Sequence, residues 1–455
     1  MAHLYLSAAH KSSGKTTLAI GIAAALTARG TVVQPFKKGP DYIDPMWLRG
    51  ASGRACYNLD FNTQSHDEIR ATFARAMPGA DFGLIEGNKG LYDGLDIEGS
   101  DSNAAMARLL GAPVVLVINA EGITRGVAPL VIGYRAFEPD LDIAGIILNS
   151  LATPRQETKM RAVLERYTDV PVIGAVGRDR RLVVTERHLG LTTPAETGER
   201  DERIARIAAA AAAGIDLDRL RAIAAKAPAP APVAAIARPA TRDIRIGVAL
   251  DVAFGFYYQD DLEALEAAGA ELVFFDTLSD RRLPEVDGLF IGGGFPETQM
   301  AALEANAELR ADIRAAIAAG LPVYAECGGL MYLTRAIHWN GRRHEMVGAI
   351  EADTVMNEKP QGRGLVRLSV TDHPWNDGSA SIAAHEFHYA GLTDVAPGTR
   401  FAYRVLRGHG IDGVRDGIVV GRCVANFRHL RSTAADPWAP RFAAFVRAAK
   451  AGGAG

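Results

Sequence analysis

The sequence has few cysteines, no strong excess of charge and no long apolar segment. Its three cysteines, Cys56, Cys327 and Cys423, are widely spaced in 455 residues, so they form neither a disulfide framework nor a zinc-binding pattern. The net charge of −3 provides no basic surface for nucleic acid or for lipid. No apolar run approaches the roughly 20 residues that span a bilayer, and the first residues lack the pattern of a signal peptide. We therefore expect a cytoplasmic globular protein with no nucleic-acid or membrane partner.

The first half of the chain alternates short apolar runs with helical stretches. The helical stretch after the first run, "TTLAIGIAAALTARG", ends at Gly30, a residue typical of helix C-termini. Unbroken runs rich in Val and Ile indicate strands that are buried on both faces, so the alternation predicts a parallel sheet covered by helices. The candidate strands are "LYLSA", "VVQPFK", "FGLIEG", "PVVLVIN", "IAGIILN" and "PVIGAV".

A segment rich in proline and alanine separates two domains. "KAPAPAPVAAIARPATR" carries four prolines, which neither a helix nor a central strand accommodates. The alternation restarts after it with "DIRIGVAL", "ELVFFD", "GLFIGGG" and "LPVYAE". We predict an α/β protein with a first domain at 1–226, a linker at 227–242 and a second domain at 243–455.

The stretch "AAHKSSGKTT" near the start of the chain predicts a phosphate-binding loop between a strand and a helix. Ala9 replaces the usual first glycine; the alternative is an incidental strand–helix turn. In a phosphate loop, Lys15 would reach the β- and γ-phosphates and Thr16 would bind Mg²⁺. Lys11 resembles the additional lysine of deviant Walker loops. The residues predicted to bind ATP in this loop are Lys11, Gly14, Lys15, Thr16 and Thr17.

Carboxylates follow two further strands of the first domain. Asp41 and Asp44 lie in "FKKGPDYIDPMW", and Glu86 and Asp93 lie in "LIEGNKGLYDG". Since the carboxyl ends of parallel strands meet at one edge of a sheet, these residues are predicted to converge near the phosphate loop and to bind metal or substrate. The alternative is a set of turn-forming acids. Asn149, at the end of "IAGIILN", is a candidate for the adenine edge or an ordinary strand-end residue.

The second domain carries a candidate nucleophile in "LPVYAECGGLMYL". Cys327 follows an apolar strand and precedes a helix, an arrangement that exposes a thiol at the sheet edge. Backbone N–H groups of Gly293, in "FIGGGFPE", and of Gly328 are candidates for an oxyanion hole. His429, in "ANFRHLRS", is the candidate base. Taken singly, the cysteine and the histidine also fit packing positions.

This second half resembles the class I glutamine amidotransferases. Members of that family usually have a glutamate two residues after the catalytic histidine, whereas this sequence has Arg431. The usual position therefore provides no carboxylate to orient His429, as in the branch of corrin amidases. "HEFHYA" (His385–Ala390) is expected either near the site or as packing, with no chemistry assigned.

The two halves together resemble the corrin a,c-diamide synthase family. The motifs that carry this resemblance span nearly the whole chain: "HKSSGKT", "FKKGPDYIDP", "IEGNKGLYDG", "GGGFPE", "AECGGLMYL" and "HEFHYA". The resemblance implies a dethiobiotin-synthetase-like first domain and a class I glutamine amidotransferase second domain. It also implies that ATP, with Mg²⁺, activates corrin acetate carboxylates as acyl phosphates that ammonia from glutamine then amidates. The oligomeric state stays open, with a homodimer as one option.

Three alternatives remain at this point. Two are related ligases, the nickel-sirohydrochlorin a,c-diamide synthases and the cobyric acid synthases. The third is a different class, the partitioning ATPases, which use a deviant Walker loop as a dimeric switch. Because a switch has no use for Cys327 and His429, the second domain favours a ligase.

Overall fold

The computed structural model of the protein describes residues 1–182, 186–187, 190–191, 200–237, 239, 241–376 and 381–452. The chain divides into two compact units, Met1–Ala235 and Ile236–Gly455. Within the described ranges, every helix is too short or too polar to cross a membrane.

The first unit is built on a parallel sheet. Its strands in the described ranges lie in the order β3-β2-β4-β1-β5-β6-β7, and neighbouring strands run parallel. The strands are β1 (Ala2–Ala8), β2 (Val33–Lys38), β3 (Tyr57–Leu59), β4 (Phe82–Glu86), β5 (Val114–Asn119), β6 (Ile143–Leu151) and β7 (Val172–Gly177). Two short strands, β8 (Glu186–Arg187) and β9 (Gly190–Leu191), form a separate antiparallel pair.

Helices connect these strands, as parallel pairing requires. Local sequence fixes several of their ends. Ser65 and Glu68 form a reciprocal capping box at the start of one helix, and Gly30, with φ +81°, follows the end of the first. The helices are α1 (Lys15–Ala28), α2 (Ile43–Ser52), α3 (His66–Ala76), α4 (Asn103–Leu110), α5 (Val127–Phe137), α6 (Pro154–Tyr167), α7 (Arg200–Gly214) and α8 (Leu217–Ala224).

In the part of the second unit that the structure describes, there is one mixed sheet and two smaller sheets. The large sheet has the order β12-β10-β13-β15-β24-β23-β22-β19-β20. It is parallel from β12 to β24 and antiparallel beyond. The strands of this unit are β10 (Ile244–Ala249), β11 (Phe254–Phe256), β12 (Ala270–Phe275), β13 (Gly288–Ile291), β14 (Gly293–Gly294), β15 (Val323–Glu326), β16 (Thr334–Trp339), β17 (Arg342–Glu345), β18 (Ile350–Met356), β19 (Gly362–Val370), β20 (Ile382–His388), β21 (Ala390–Thr393), β22 (Arg400–Arg407), β23 (Arg415–Val420) and β24 (Cys423–Asn426).

Helices of the second unit pack against the parallel part of this sheet and against the neighbouring four-stranded sheet. They are α9 (Gln259–Ala267), α10 (Met300–Ala305), α11 (Ala307–Ala318), α12 (Gly328–Leu333) and α13 (Trp438–Gly452). The apolar face of α13, which includes Trp438, Phe442 and Val446, is fully buried. This helix therefore packs into the core of its unit.

The strand order of each unit brings distant segments to one sheet edge. In the first unit β4 lies between β2 and β1, with Glu86 paired in register with Lys37 on one side and Leu6 on the other. In the second unit β13, β15 and β24 are neighbouring parallel strands, and each is followed by a segment predicted to be catalytic. The predicted α/β fold with two domains is confirmed.

Candidate active sites

The predicted phosphate loop follows β1 and leads directly into α1. Gly14 has φ +80°, and a Cβ there would lie 2.1 Å from Asn149 Nδ2, so this position requires glycine. Asn149 Nδ2 donates a hydrogen bond to the Ser13 carbonyl oxygen at 2.9 Å. Asn149 therefore lies against the loop, while Lys11 is exposed at its tip.

A buried lysine lies at the centre of the predicted carboxylate cluster. Lys37 Nζ donates to Asp44 Oδ2, to Glu86 Oε1 at 2.9 Å and to the Gly87 carbonyl at 3.2 Å. The Thr16 hydroxyl lies 2.6 Å from Glu86 Oε1 and 3.2 Å from Asp44 Oδ2. One ammonium and one hydroxyl thus hold two carboxylates together beside the first turn of α1.

Burial and neighbouring charge separate the pKa values in this cluster. Burial, reinforced by Asp44, raises the pKa of Asp41 to about 7. Burial alone would also raise the pKa of Asp44, but Lys37 outweighs it and holds that pKa below its usual range. For Lys37, Asp44 and Glu86 outweigh burial and raise the pKa, whereas burial and the charge of Lys37 lower the pKa of Lys15. Lys37 is therefore the firmly charged cation of the cluster.

The other residues predicted for this site lie around the cluster. Asp41 Oδ1 accepts hydrogen bonds from the backbone of Ile43 at 3.1 Å and of Asp44 at 3.0 Å, at the start of α2. Thr17 is half-buried in the first turn of α1. Asp93 is exposed, and its Oδ2 accepts from Gly90 N at 2.9 Å. The structure thus brings Asp41, Asp44 and Glu86 together with Lys37, and it places Asp93 outside this network.

The oxygen atoms around Lys37 are of the kind that magnesium prefers as ligands. Glu86 Oε2 is buried and has no hydrogen-bond partner in the described part of the chain. Together with Thr16 Oγ1 and the Asp44 carboxylate, it offers the hard oxygen ligands that Mg²⁺ prefers. The same ranges contain no preformed group of three or more metal-ligating acid, histidine or cysteine side chains. Phosphate oxygens would therefore have to complete the coordination, as they usually do for this ion.

We predict that Lys37→Met destabilises the first unit strongly. The substitution leaves two buried carboxylates without their cation, which costs about 3–5 kcal/mol in comparable buried pairs. The matched control is Lys38→Met, because Lys38 is also buried but its ammonium has weaker partners, Asn88 Oδ1 at 3.4 Å and the Phe61 ring at 5.9 Å. Urea unfolding followed by hydrogen exchange of peptides from 1–235 measures both variants. Equal losses in the two would show that the ion-pair network does not stabilise the unit.

In the second unit, Cys327 lies on a sharp turn between β15 and α12. Its backbone has φ 48° and ψ −105°, a conformation rare for a residue other than glycine. Cys327 N donates to the Asn426 carbonyl at 2.7 Å, which ties the turn to the end of β24. Cys327 is 4% exposed, so the prediction of an exposed thiol was wrong: the turn has the expected shape, but neighbouring segments cover it. This is the strand–turn–helix geometry of a nucleophile elbow.

His429 lies against Cys327 and also contacts a second side chain, Glu326, which was not among the predicted site residues. The imidazole hydrogen-bonds to the thiol of Cys327, and its Nδ1 lies 3.2 Å from Glu326 Oε2. All three side chains are buried. Glu326 directly precedes Cys327 in the motif "AECGG", and this position in the motif was the only sequence signal for it.

The predicted oxyanion residues lie next to this pair. A Cβ at Gly293 would lie 2.5 Å from His429 Cε1, so glycine lets the backbone approach the imidazole. Gly328 begins α12, and a Cβ there would lie 3.0 Å from Gly294 N. The two glycine segments therefore meet beside Cys327, as the oxyanion-hole hypothesis requires.

Arg431 and the "HEFHYA" segment surround His429 in different ways. Arg431 Nε and Nη2 donate to Asp260 Oδ2 at 3.1 and 2.6 Å, and its guanidinium lies 4.9 Å from the Tyr258 ring centroid. His385 pairs with His429 through the backbone, with His429 N donating to the His385 carbonyl at 2.8 Å. The segment is therefore next to the site.

The pKa of His429 gives a prediction about stability. Burial lowers this pKa, but the hydrogen bonds to Cys327 and Glu326 outweigh burial and raise it from 6.5 to about 9. Since the folded state holds the proton more tightly, its contribution to stability is complete below about pH 6.5 and is lost as the pH rises through about 9. We expect the difference in unfolding free energy between wild type and His429→Asn to shrink across that window. Urea titrations at both ends measure it, and a difference that stays constant or grows would contradict the assignment.

Two family models match separate stretches of the chain. Residues 8–189 match the CobQ/CobB/MinD/ParA nucleotide binding domain, and residues 245–436 match the CobB/CobQ-like glutamine amidotransferase domain. The first description also covers partitioning proteins, so it does not separate a ligase from a switch. The second match supplies that distinction, because it assigns the segment containing Cys327 and His429 to a glutamine amidotransferase domain.

Relatives match both domains together. A cobyrinate a,c-diamide synthase of Magnetococcus marinus is 46% identical over 98% of this chain and 97% of its own length. One from Methanosarcina acetivorans is 42% identical over 94% of this chain and 92% of its own. Another, from Archaeoglobus fulgidus, is 41% identical over 94% of each chain. The similarity therefore includes both units and their order.

Proposed function

The chain belongs to the family of cobyrinate a,c-diamide synthases, and on that basis we propose that it amidates the a and c acetate side chains of cobyrinic or hydrogenobyrinic acid. Membership of this family makes the protein a glutamine-dependent ligase with an ATP-binding domain. The observation that carries the proposal is that one chain has both a phosphate loop beside a cation-bearing carboxylate cluster and a thiol–imidazole pair on a nucleophile elbow.

The first unit activates the acid. An acetate oxygen attacks the γ-phosphorus of ATP, the bond to the β-phosphate oxygen breaks, and an acyl phosphate and ADP form. Lys15 and Lys11 bind the phosphate oxygens. Thr16, Asp44 and Glu86 would hold Mg²⁺, which when bound neutralises charge on the β- and γ-phosphates. Asn149, which lies against the loop through its hydrogen bond to Ser13, is the candidate to contact the adenine.

The second unit releases ammonia from glutamine. The Cys327 thiolate attacks the carboxamide carbon, and backbone N–H groups of Gly293 and Gly328 stabilise the resulting oxyanion. His429 protonates the leaving nitrogen. Water then hydrolyses the thioester to glutamate, and ammonia displaces phosphate from the acyl phosphate to form the amide. Each cycle converts one carboxylate, one ATP, one glutamine and one water to one amide, ADP, phosphate and glutamate.

Product analysis tests the substrate. The protein is incubated with ATP, glutamine and, separately, cobyrinic acid, hydrogenobyrinic acid, nickel-sirohydrochlorin and the cobyric acid precursor. We expect mass spectrometry to show two new amide nitrogens on one of the first two acids. Turnover of nickel-sirohydrochlorin or of the cobyric acid precursor alone would assign the chain to another ligase. If no acid is amidated and no glutamate is released, the synthetase function is wrong.

Oxygen tracing tests the acyl phosphate. If an acetate oxygen attacks the γ-phosphorus, one carboxylate oxygen must leave as part of inorganic phosphate each time an amide forms. Substrate labelled with ¹⁸O in its carboxylates should therefore yield one labelled phosphate per amide. Unlabelled phosphate, with amide formed, would exclude this intermediate.

A further inference from the structure

The residue at the usual triad position cannot orient the catalytic histidine. Arg431 is a cation, and its guanidinium is committed to Asp260 and to the Tyr258 ring. The backbone next to it is also fixed, since Ser432 N donates to Asp261 Oδ1 at 2.7 Å. This position is therefore a structural anchor.

Glu326 reaches the histidine from a different strand. It is the last residue of β15 and pairs in parallel register with Asn426, the last residue of β24. The chain leaves β24 and passes over the end of β15, so His429 and Leu430 lie directly above Glu326. The carboxylate is 3% exposed, which places its contact with His429 in a medium where a charge interaction is strong.

The two oxygens of Glu326 have separate partners. Oε1 accepts from the Tyr324 hydroxyl at 2.7 Å and from Leu430 N at 2.9 Å. Oε2 lies 3.2 Å from His429 Nδ1. Two donors thus fix the plane of the carboxylate and aim its other oxygen at the imidazole.

We propose that Glu326 is the positioning residue of the glutaminase, taking from the strand before the nucleophile the role that class I enzymes give to a glutamate after the histidine. The inference rests on the proposed function. A carboxylate at Nδ1 keeps the Nδ1–H tautomer, so that Nε2 can face the thiol, and it stabilises the imidazolium formed when His429 takes the Cys327 proton.

The charged groups around His429 support this assignment. The neighbouring His385 is neutral, because burial and the charge of His429 lower its pKa to about 3. The two arginines nearby are paired elsewhere, Arg428 with Asp416 and Arg431 with Asp260.

The tyrosines facing Glu326 are neutral as well. Burial raises the pKa of both Tyr257 and Tyr324. Among the described residues, Glu326 is therefore the carboxylate that contacts the His429 imidazole. Together with the Cys327 side chain, it holds the pKa of His429 above the ordinary value.

The test compares three variants by the pH profile of glutamine hydrolysis. Glu326→Gln keeps the shape and an acceptor but removes the charge. We expect kcat to fall about 100- to 10,000-fold, with KM for glutamine changed less than about threefold. The alkaline limb, which reports loss of the imidazolium, should move down by about one pH unit or more. Glu326→Asp keeps the charge, so its alkaline limb should lie closer to the wild-type pH than that of Glu326→Gln.

Tyr324→Phe is the matched control. It removes one hydrogen bond to Oε1 and leaves the charge of Glu326 in place. Since losing a donor makes the carboxylate more basic, the alkaline limb should stay or move up. A downward shift equal to that of Glu326→Gln would show that the effect is structural.

Two further measurements distinguish a failure of this inference from misfolding of the variant and from a failure of the proposed function. Amidation with ammonium in place of glutamine should be unchanged in Glu326→Gln. The pH dependence of Cys327 alkylation by iodoacetamide reads the thiol without turnover and should shift with the alkaline limb. The inference would be overturned if Glu326→Gln kept the wild-type kcat and the wild-type alkaline limb of the pH profile. It would also be overturned if both Glu326 variants lost kcat while the alkaline limb stayed at its wild-type pH. If wild type itself hydrolyses no glutamine, the proposed function fails instead.

Discussion

Replacing Cys327 by serine is expected to abolish glutamine use while leaving ammonia-dependent amidation intact. Serine fits the buried turn, but its hydroxyl is a far weaker nucleophile than a thiolate. We expect glutamine-dependent amidation to fall at least about 1,000-fold. Because the thiol belongs to 236–455 and the phosphate loop to 1–235, ATP-driven amidation with added ammonium should keep its wild-type rate. Both rates are measured as amide product by mass spectrometry.

Cys423→Ser is the control for this experiment. Cys423 is fully buried in β24, and burial raises its pKa to about 12, so it has no thiolate to offer near neutral pH. This variant should keep glutamine-dependent amidation. Loss of both activities in Cys327→Ser would show that the two units are not functionally separable.

Glu86→Gln is expected to have the complementary effect. Glu86 Oε1 accepts from Lys37 and Thr16, and Oε2 is the buried oxygen that fits a metal ligand. An amide in its place loses the charge and puts an N–H₂ group among cations. Amidation should fall about 100- to 1,000-fold with either nitrogen source, while basal glutamine hydrolysis should continue.

A second acid on the connection after β4 provides the comparison. Glu98 is exposed, so Glu98→Gln makes the same chemical change away from the cluster and should leave both activities near wild type. If Glu86→Gln and wild type amidated at equal rates, a role for Glu86 at the ATP site would be excluded. A parallel loss of glutaminase would indicate a general loss of structure.

Much of the fold could be predicted because strands and their loops carry strong local signals. The predicted strands "VVQPFK", "FGLIEG" and "PVVLVIN" coincide with β2, β4 and β5, and the first helix ends just before Gly30. The short edge strand β3 was missed, since three residues show no periodicity. The antiparallel extension of the second sheet has exposed faces and weak patterns, so its strand order could not be derived from the sequence.

The site was less predictable, because contacts depend on strand order. Asp44 and Glu86 were expected to converge, but the sequence does not show that β2 pairs with β4 and places Lys37 between them. Asp93 follows the same strand as Glu86 and turns away into its own loop contact with Gly90. The orienting acid was sought after His429, whereas Glu326 reaches it across two neighbouring strand ends.

Nitrogen tracing tests whether ammonia released from glutamine by the Cys327 thiol is the nitrogen that forms the amides. The protein is given ATP, corrin acid and glutamine labelled with ¹⁵N in its amide, and the product is analysed by mass spectrometry. We expect a diamide with ¹⁵N at both new amides from the wild-type protein, and no label in product from Cys327→Ser. Glutamate release with no ¹⁵N in the product would contradict this expectation.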